Sequence, residues 1–401
     1  MLVIDDVRLR GFSGRHPVEH ALAWVDAHAE PLPAEAIAAA DAWGRVLAEP
    51  VVAAADVPPV DRASEDGYAL RSGETIGASP YNPLLLALEE ASAPLGPAAA
   101  ALVSAGAALP EGADAVLAFA AAQAEGGTLE VSSAVAEGMG VERRGQELRA
   151  GTALIGTARP LRPEDAGLIA ALGVERVAVV RRPRVRLVIA GPKSARGLPA
   201  HDADGPMLRA LVARDGGVLE GMVLGADERR AIASAIAAPG ADAILVAGRT
   251  GTGRDDEAPL ALAEVGEVAL HGLALRPGGS SGLGRVGAVP VVLLPGDPLA
   301  CLCSYEVLAG RLVRRLGGRD PRLPHVVREA EVGRKIVSTV GFVDMCRVQL
   351  VGGRAEPVGS AEDGGLASAV RADGFVLIPA PLEGYAPGAR VAVHVFGEVA
   401  R

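Results

Sequence analysis

The spacing of apolar positions changes several times along the chain, and each change predicts a change of element. Val18, Ala21, Leu22 and Val25 share one helical face, and Ile37, Ala40 and Leu47 continue that habit, so residues 17–50 read as helical. From about 52 to 141, short apolar runs alternate with turn signals such as Leu109-Pro110-Glu111-Gly112, the pattern of a small β-rich unit. Pro163, followed by Glu164 and Asp165, suits a helix start, and Gly173 suits its end. The prediction is a helix over Pro163–Leu172 and a strand over Val177–Val180.

Between 184 and about 318 the pattern becomes alternating. Strands are expected at Val185–Ala190, Val218–Leu224, Ala243–Ala247, Val268–Leu275 and Val289–Leu294. Helices are expected at Met207–Arg214, at Asp227–Ala237 and from Pro298 onward. Continuously apolar strands between helices imply a doubly wound sheet covered on both faces. Ligands bind such sheets beyond the carboxyl ends of the strands. Here those ends carry Gly191-Pro192-Lys193, the run Ala247–Asp256, Arg276–Gly282 and Pro295-Gly296-Asp297. From 325 to 401 a last, all-β stretch is expected.

Composition narrows the function. With 401 residues, half of them hydrophobic, the chain can build two to four domains. Only 3% are aromatic, so the cores must rely on Val, Leu, Ile and Ala. A net charge of −10 argues against nonspecific nucleic-acid binding, which needs a basic surface. Three cysteines fit a reducing compartment, and Cys301 and Cys303 read as small buried residues rather than zinc ligands. The first residues lack an apolar signal core, and no apolar run reaches about 18 residues. A cytoplasmic protein without a membrane span is therefore expected.

The segment Gly248-Arg249-Thr250-Gly251-Thr252-Gly253-Arg254-Asp255-Asp256 raises the sharpest chemical question. A strand that empties into a glycine-rich turn presents backbone N–H groups, often to phosphate. A Walker-type loop is a poor match, because arginine stands for lysine and Asp255 for the hydroxyl residue. An anion loop and a solvated turn with a surface ion pair both stay open. His201 lies beside Asp202 and Asp204, which allows a metal reading; the other histidines are scattered.

Taken in order, several motifs resemble one family. They are Asp61–Glu74 with its Glu65-Asp66-Gly67-Tyr68-Ala69, Ser104–Val116, Arg143–Ile155, Arg159–Val185, Ala274–Arg285, Pro290–Glu306 and Ala372–Pro379. The chain is similar in this way to the molybdopterin molybdenumtransferases, to which the gephyrin C-terminal domain belongs, from about residue 17 to 398. The resemblance implies an α/β multidomain fold with four parts. These are an elongated helical and β connecting domain (1–51 and 142–181), an inserted β-rich domain (52–141), a doubly wound molybdopterin-binding domain (182–319) and a C-terminal β domain (320–401). It also implies a homodimer with its cleft near the dimer interface, and a reaction in which adenylated molybdopterin and molybdate, with Mg²⁺, give molybdenum cofactor and AMP. A molybdoenzyme is the implied recipient; neither nucleic acid nor membrane is an expected partner.

The resemblance assigns site residues by position. Asp66, Glu147 and Asp256 stand at catalytic positions, and Asp66 and Asp256 are the candidate Mg²⁺ carboxylates. Glu147 stands where the family more often has aspartate. Gly248, Arg249, Thr250, Gly251, Gly253 and Arg254 form the opening loop, where Arg249 replaces glycine, Gly251 replaces serine and Arg254 replaces aspartate. Arg276 is the expected phosphate contact, with Gly278, Ser280 and Ser281 as further donors; Gly279 and Ser280 replace a Lys-Pro pair. Asp204, Pro295 and Asp297 complete the set. Pro192 and Lys193 replace two acids. The acids lost at 192, 193 and 254 keep a noncatalytic carrier or insertion factor as the alternative to a transferase, with a structural scaffold behind it.

Overall fold

The computed structural model describes residues 6–157, 159–191, 194–195, 198–199, 202–359 and 365–399. Its central sheet has six strands in the order Val218–Ala226, Arg184–Ala190, Ala243–Ala247, Val289–Leu294, Gly282–Val286 and Glu267–His271. The first four are parallel and the last two antiparallel. All five residues of Ala243–Ala247 are buried, as a strand covered on both faces requires. Helices Asp204–Arg214 and Pro298–Ser304 sit over one face, the latter running on through a π-helical turn at Tyr305–Ala309 into Gly310–Leu316. Helices Arg229–Ala237 and Ala258–Val265 cover the other. From Arg184–Ala190 the chain winds outward to Val218–Ala226, and from Ala243–Ala247 the opposite way to Val289–Leu294. The crevice where the winding reverses therefore lies beyond Ala190 and Ala247.

The expected helix over 17–50 is only partly present. Val18–His28 is helical and buries Val18, Ala21 and Val25 in the core of the doubly wound sheet. Pro31 and Pro33 then end the helical run, since proline lacks the needed N–H. Ala34–Ala38 becomes a strand paired antiparallel with Arg176–Val180, and Val51–Val52 pairs with Ala153–Ile155. Pairing with the largely buried strand Arg176–Val180 outweighs the helical spacing of Ile37 and Ala40.

Two further expectations change. The strand expected over 268–275 divides at Gly272, whose φ of 86° breaks the extended run. Glu267–His271 stays in the central sheet, while Leu275–Arg276 joins Val343–Val351. The last stretch is not all β, because Gly365–Arg371 is a short helix. Its strands Val343–Val351, Arg354–Pro357, His325–Val332, Arg390–Val399 and Gly374–Ile378 form a ring, closed where Val343–Val351 pairs with Gly374–Ile378. The inserted β-rich part holds a six-stranded sheet ordered Ala115–Ala118, Gly67–Leu70, Ala99–Val103, Leu84–Glu89, Thr128–Val131 and Gln123–Glu125.

Candidate functional site

The strand-end loops meet at closest packing. A Cβ on Gly248 would lie 2.0 Å from the Ala190 carbonyl oxygen, and one on Gly296 would lie 3.0 Å from Gly248 Cα. Gly248 also has a φ of 94°, so only glycine fits there. Its N–H donates to the Leu294 carbonyl at 2.9 Å. The next residue, Arg249, also adopts left-handed backbone (φ 58°), which is strained for a residue with a Cβ. Its guanidinium pairs with Asp227 and lies 3.7 Å from Asp255. The charge of Arg249 is thus met by the chain itself.

Thr250 is 1% exposed, and its Oγ1 lies 3.1 Å from Ser280 Oγ. This contact joins the opening loop to the Arg276–Ser281 turn. His271 lies beneath both. Burial lowers its pKa, so at neutral pH it is uncharged and its Nε2–H donates to the Thr250 carbonyl at 2.9 Å. Ser281 Oγ lies 2.7 Å from the Gly278 carbonyl oxygen and 2.7 Å from Ser304 Oγ. Ser281 therefore shapes the turn from within, whereas Ser280 is the half-buried hydroxyl beside Thr250.

Asp256 serves the loop's own architecture. Its Oδ2 accepts the Gly253 N–H at 2.6 Å, and Cβ atoms on Gly251 and Gly253 would lie 2.8 and 3.0 Å from it. The glycines of this loop leave room for a carboxylate that folds back onto them. Arg254 is exposed. Asp297 caps its helix by accepting the Ala300 N–H at 2.9 Å, one residue beyond Gly296, which follows buried Pro295.

Asp204 is the most perturbed carboxyl of the region. Burial raises its pKa to about 7, and the charges of Asp202 and Asp297 push the same way. Its Oδ1 is buried and has no hydrogen-bond partner. A carboxyl poised near neutrality at a strand-end crevice fits a site that exchanges protons or meets an anion.

Arg276 points into protein. Its Nε donates to Asp344 Oδ1 at 2.7 Å, Nη2 bonds Oδ2, and its guanidinium lies 5.3 Å from the centre of the Phe342 ring. A second cation stands at the turn instead. Arg15 bonds the Gly279 carbonyl oxygen, and its Nη1 lies 3.0 Å from where a Gly279 Cβ would be. It stacks on Phe12, whose ring meets His271 edge-on at 5.0 Å. Arg15 and Asp344 were both missed by reasoning from sequence. A lone acid in the apolar run Phe342–Cys346 was the available signal for Asp344, because a buried charge needs a partner. Nothing local marks Arg15.

Asp66 and Glu147 lie outside these loops. Asp66 Oδ1 accepts the Ala105 N–H at 2.8 Å within the β-rich part, and Glu147 is an exposed turn residue whose N–H donates to the Val57 carbonyl. Pro192, Lys193 and His201 fall outside the described residues. The donor set does not fit a resident Mg²⁺ ion: Asp256 is committed to Gly253 and Asp227 to Arg249. Among the described residues, no three His, Cys, Asp or Glu side chains converge to hold a metal.

Fold and site together define an α/β protein with a polar crevice at the switch point of a doubly wound sheet. Three family models match in order: the MoeA N-terminal region (domain I and II) over residues 16–173, the probable molybdopterin binding domain over 188–315, and the MoeA C-terminal region (domain IV) over 329–396. The chain belongs to the MoeA family of molybdopterin molybdenumtransferases. It is similar to molybdopterin molybdenumtransferase 2 of Mycobacterium tuberculosis, with 28% identity over 71% of this chain and 76% of the relative. It is similar to the molybdopterin molybdenumtransferase of Staphylococcus aureus, with 23% identity over 93% of each chain. Two solved molybdopterin biosynthesis MoeA structures from Pyrococcus horikoshii superpose with TM-scores of 0.80 and 0.79. Their identities are 29% and 25%, and the match covers 96% of this chain and 99% and 100% of theirs. No helix among the described residues is long and apolar enough to cross a membrane.

Proposed function

We propose that this protein inserts molybdate into adenylated molybdopterin and releases AMP, a step of molybdenum cofactor biosynthesis. The observation that carries the reading is the join between the Gly248–Gly253 loop and the Arg276–Ser281 turn through Thr250 and Ser280, in a chain whose three regions match the family in order. The Ser280 hydroxyl, the Arg15 guanidinium and those opening-loop N–H groups not spent on Leu294 and Asp256 would donate to phosphate and molybdate oxygens. Holding the two reactants together in one crevice supplies most of the acceleration. Asp204 is the proton acceptor best placed by its pKa.

Arg276 acts indirectly in this reading. It fixes the turn against Asp344, so that Ser280 and Arg15 keep their positions. The residues assigned here do not build a magnesium site. Asp66 from the β-rich part and Glu147 from the connecting part would complete the crevice across the interface of a homodimer. The finished cofactor would pass to a molybdoenzyme.

Calorimetric titration with adenylated molybdopterin tests the site. Ser280→Ala combined with Thr250→Val should weaken binding about tenfold, the loss of one or two hydrogen bonds to a charged group. Unchanged affinity in that double variant would remove these loops from the site.

A further inference from the structure

A cavity of about 850 Å³ lies at the other end of the doubly wound sheet. It opens between the connecting layer, through Trp43, Pro160 and Leu161, and the end of helix Asp204–Arg214, through Arg209 and Val212. Gly216–Leu219, where the first strand of the sheet begins, forms its floor. Its volume is that of a small-molecule site. The crevice of the proposed reaction lies beyond the opposite, carboxyl ends of the same strands.

The lining is strongly basic in a chain that is acidic as a whole. Five arginines face it, at 159, 162, 182, 209 and 319, against one acid, Glu164. Two of the five are matched locally: Arg159 pairs with Asp165, and Arg162 with Glu164. Arg182 and Arg209 are exposed and have no carboxylate partner among the described residues. Arg319 donates to the carbonyl oxygens of Arg214 and Gly44, which hold the guanidinium without neutralising it. Burial pushes its pKa down; the charge of Asp215 opposes this, and those of Arg182 and Arg314 add to it.

The apolar half of the lining is also specific. Trp43 is 65% exposed in a chain with only two tryptophans, and it stands at the cavity wall. An exposed indole beside uncompensated guanidinium groups offers a flat stacking surface next to anion donors. Simple anions would use only half of this lining, and an uncharged ring only the other half.

We propose that this cavity binds a phosphorylated ligand with a flat ring, of the nucleoside-diphosphate class, with the ring on Trp43 and the phosphates on Arg182, Arg209 and Arg319. This second site is independent of the transferase reading, because none of its residues belongs to the strand-end loops.

The test titrates the full-length protein with ADP and, separately, with inorganic pyrophosphate, following calorimetry and tryptophan emission. Arg182→Ser with Arg209→Ser should weaken this class of binding at least tenfold for both probes; both side chains are exposed, so the variant should fold. Trp43→Ala should weaken ADP binding severalfold and leave pyrophosphate unchanged. The ADP-dependent change in emission should vanish in Trp43→Phe, because Trp24, stacked on His28 at 4.1 Å, is held elsewhere. The Ser280→Ala, Thr250→Val variant should retain the Trp43 emission change on ADP addition, which separates this cavity from nucleotide binding at the strand ends. Equal ADP binding in the wild type and the double arginine variant would overturn the proposal. So would an identical loss of both probes on removing Trp43, or a solution dimer in which Trp43 is already shielded from a soluble quencher.

Discussion

Arg276 and Asp344 form a two-point ion pair between the turn beyond the central sheet and the C-terminal barrel. Asp344 is fully buried, and it also accepts the Ser338 hydroxyl at 2.8 Å. Strands Leu275–Arg276 and Val343–Val351 run parallel at this point, so the pair fixes the angle at which the barrel meets the turn. Arg276→Ala would leave a buried carboxylate without its main partner. It should lower stability by about 3–5 kcal/mol in denaturant unfolding, and substrate affinity should fall as the turn loosens. Arg276→Lys keeps the charge but loses the two-point geometry, and should fall between the two.

The opening loop makes a steric prediction. Gly248→Ala places a methyl group 2.0 Å from the Ala190 carbonyl oxygen on left-handed backbone. A loss of about 3 kcal/mol or more in thermal or denaturant unfolding is expected. A soluble variant with wild-type stability would mean that the strand ends are less tightly apposed.

A lysine placed at Gly279 should stand in for the charge of Arg15. Arg15→Ala should weaken molybdate and phosphate binding about tenfold, the worth of one charge-assisted hydrogen bond. Adding Gly279→Lys to that variant should restore much of the loss, because the space beside Gly279 is what Arg15 now fills. Calorimetry on the two variants checks both statements.

Asp204 predicts a pH dependence. Its carboxyl, raised to about 7 by burial, binds a proton more readily in the folded chain than in the unfolded one. Its contribution to stability is therefore most favourable below about pH 4 and is lost as pH rises to about 7. Asp204→Asn should match the wild type near pH 4 and exceed it by about 2–4 kcal/mol above pH 7. Unfolding midpoints across that range decide it.

Glu306 has the opposite sign. Burial works to raise its pKa, but hydrogen bonds from His325 and Arg214 outweigh it and hold the carboxyl at about 2. Its stabilisation is present above the ordinary glutamate range and is lost as pH falls toward 2. Arg214→Ala should cost about 3–5 kcal/mol at neutral pH, because it strips both Glu306 and buried Asp215 of a partner.

The parallel strands were legible because burial on both faces leaves an unbroken apolar run, as in Ala243–Ala247. The strand Ala34–Ala38 was not, because its partner lies 140 residues away and Ile37 and Ala40 fit a helix equally well. Within the site, the glycine-rich loops were visible as strand ends followed by turn residues. What their charges do was not. Arg276, Arg249 and Asp256 each look free in sequence, and each is committed to a partner or backbone group that only the fold brings near. Arg15 shows the converse, an unremarkable arginine carried to the turn by a short bridge between His16 and Leu273.

Transferase activity is decided by AMP release from adenylated molybdopterin when molybdate is added to the purified protein, at graded Mg²⁺. Molybdate-dependent AMP release matched by formation of active cofactor is the expected result. Tight binding of the substrate with no AMP released at any magnesium concentration would contradict it.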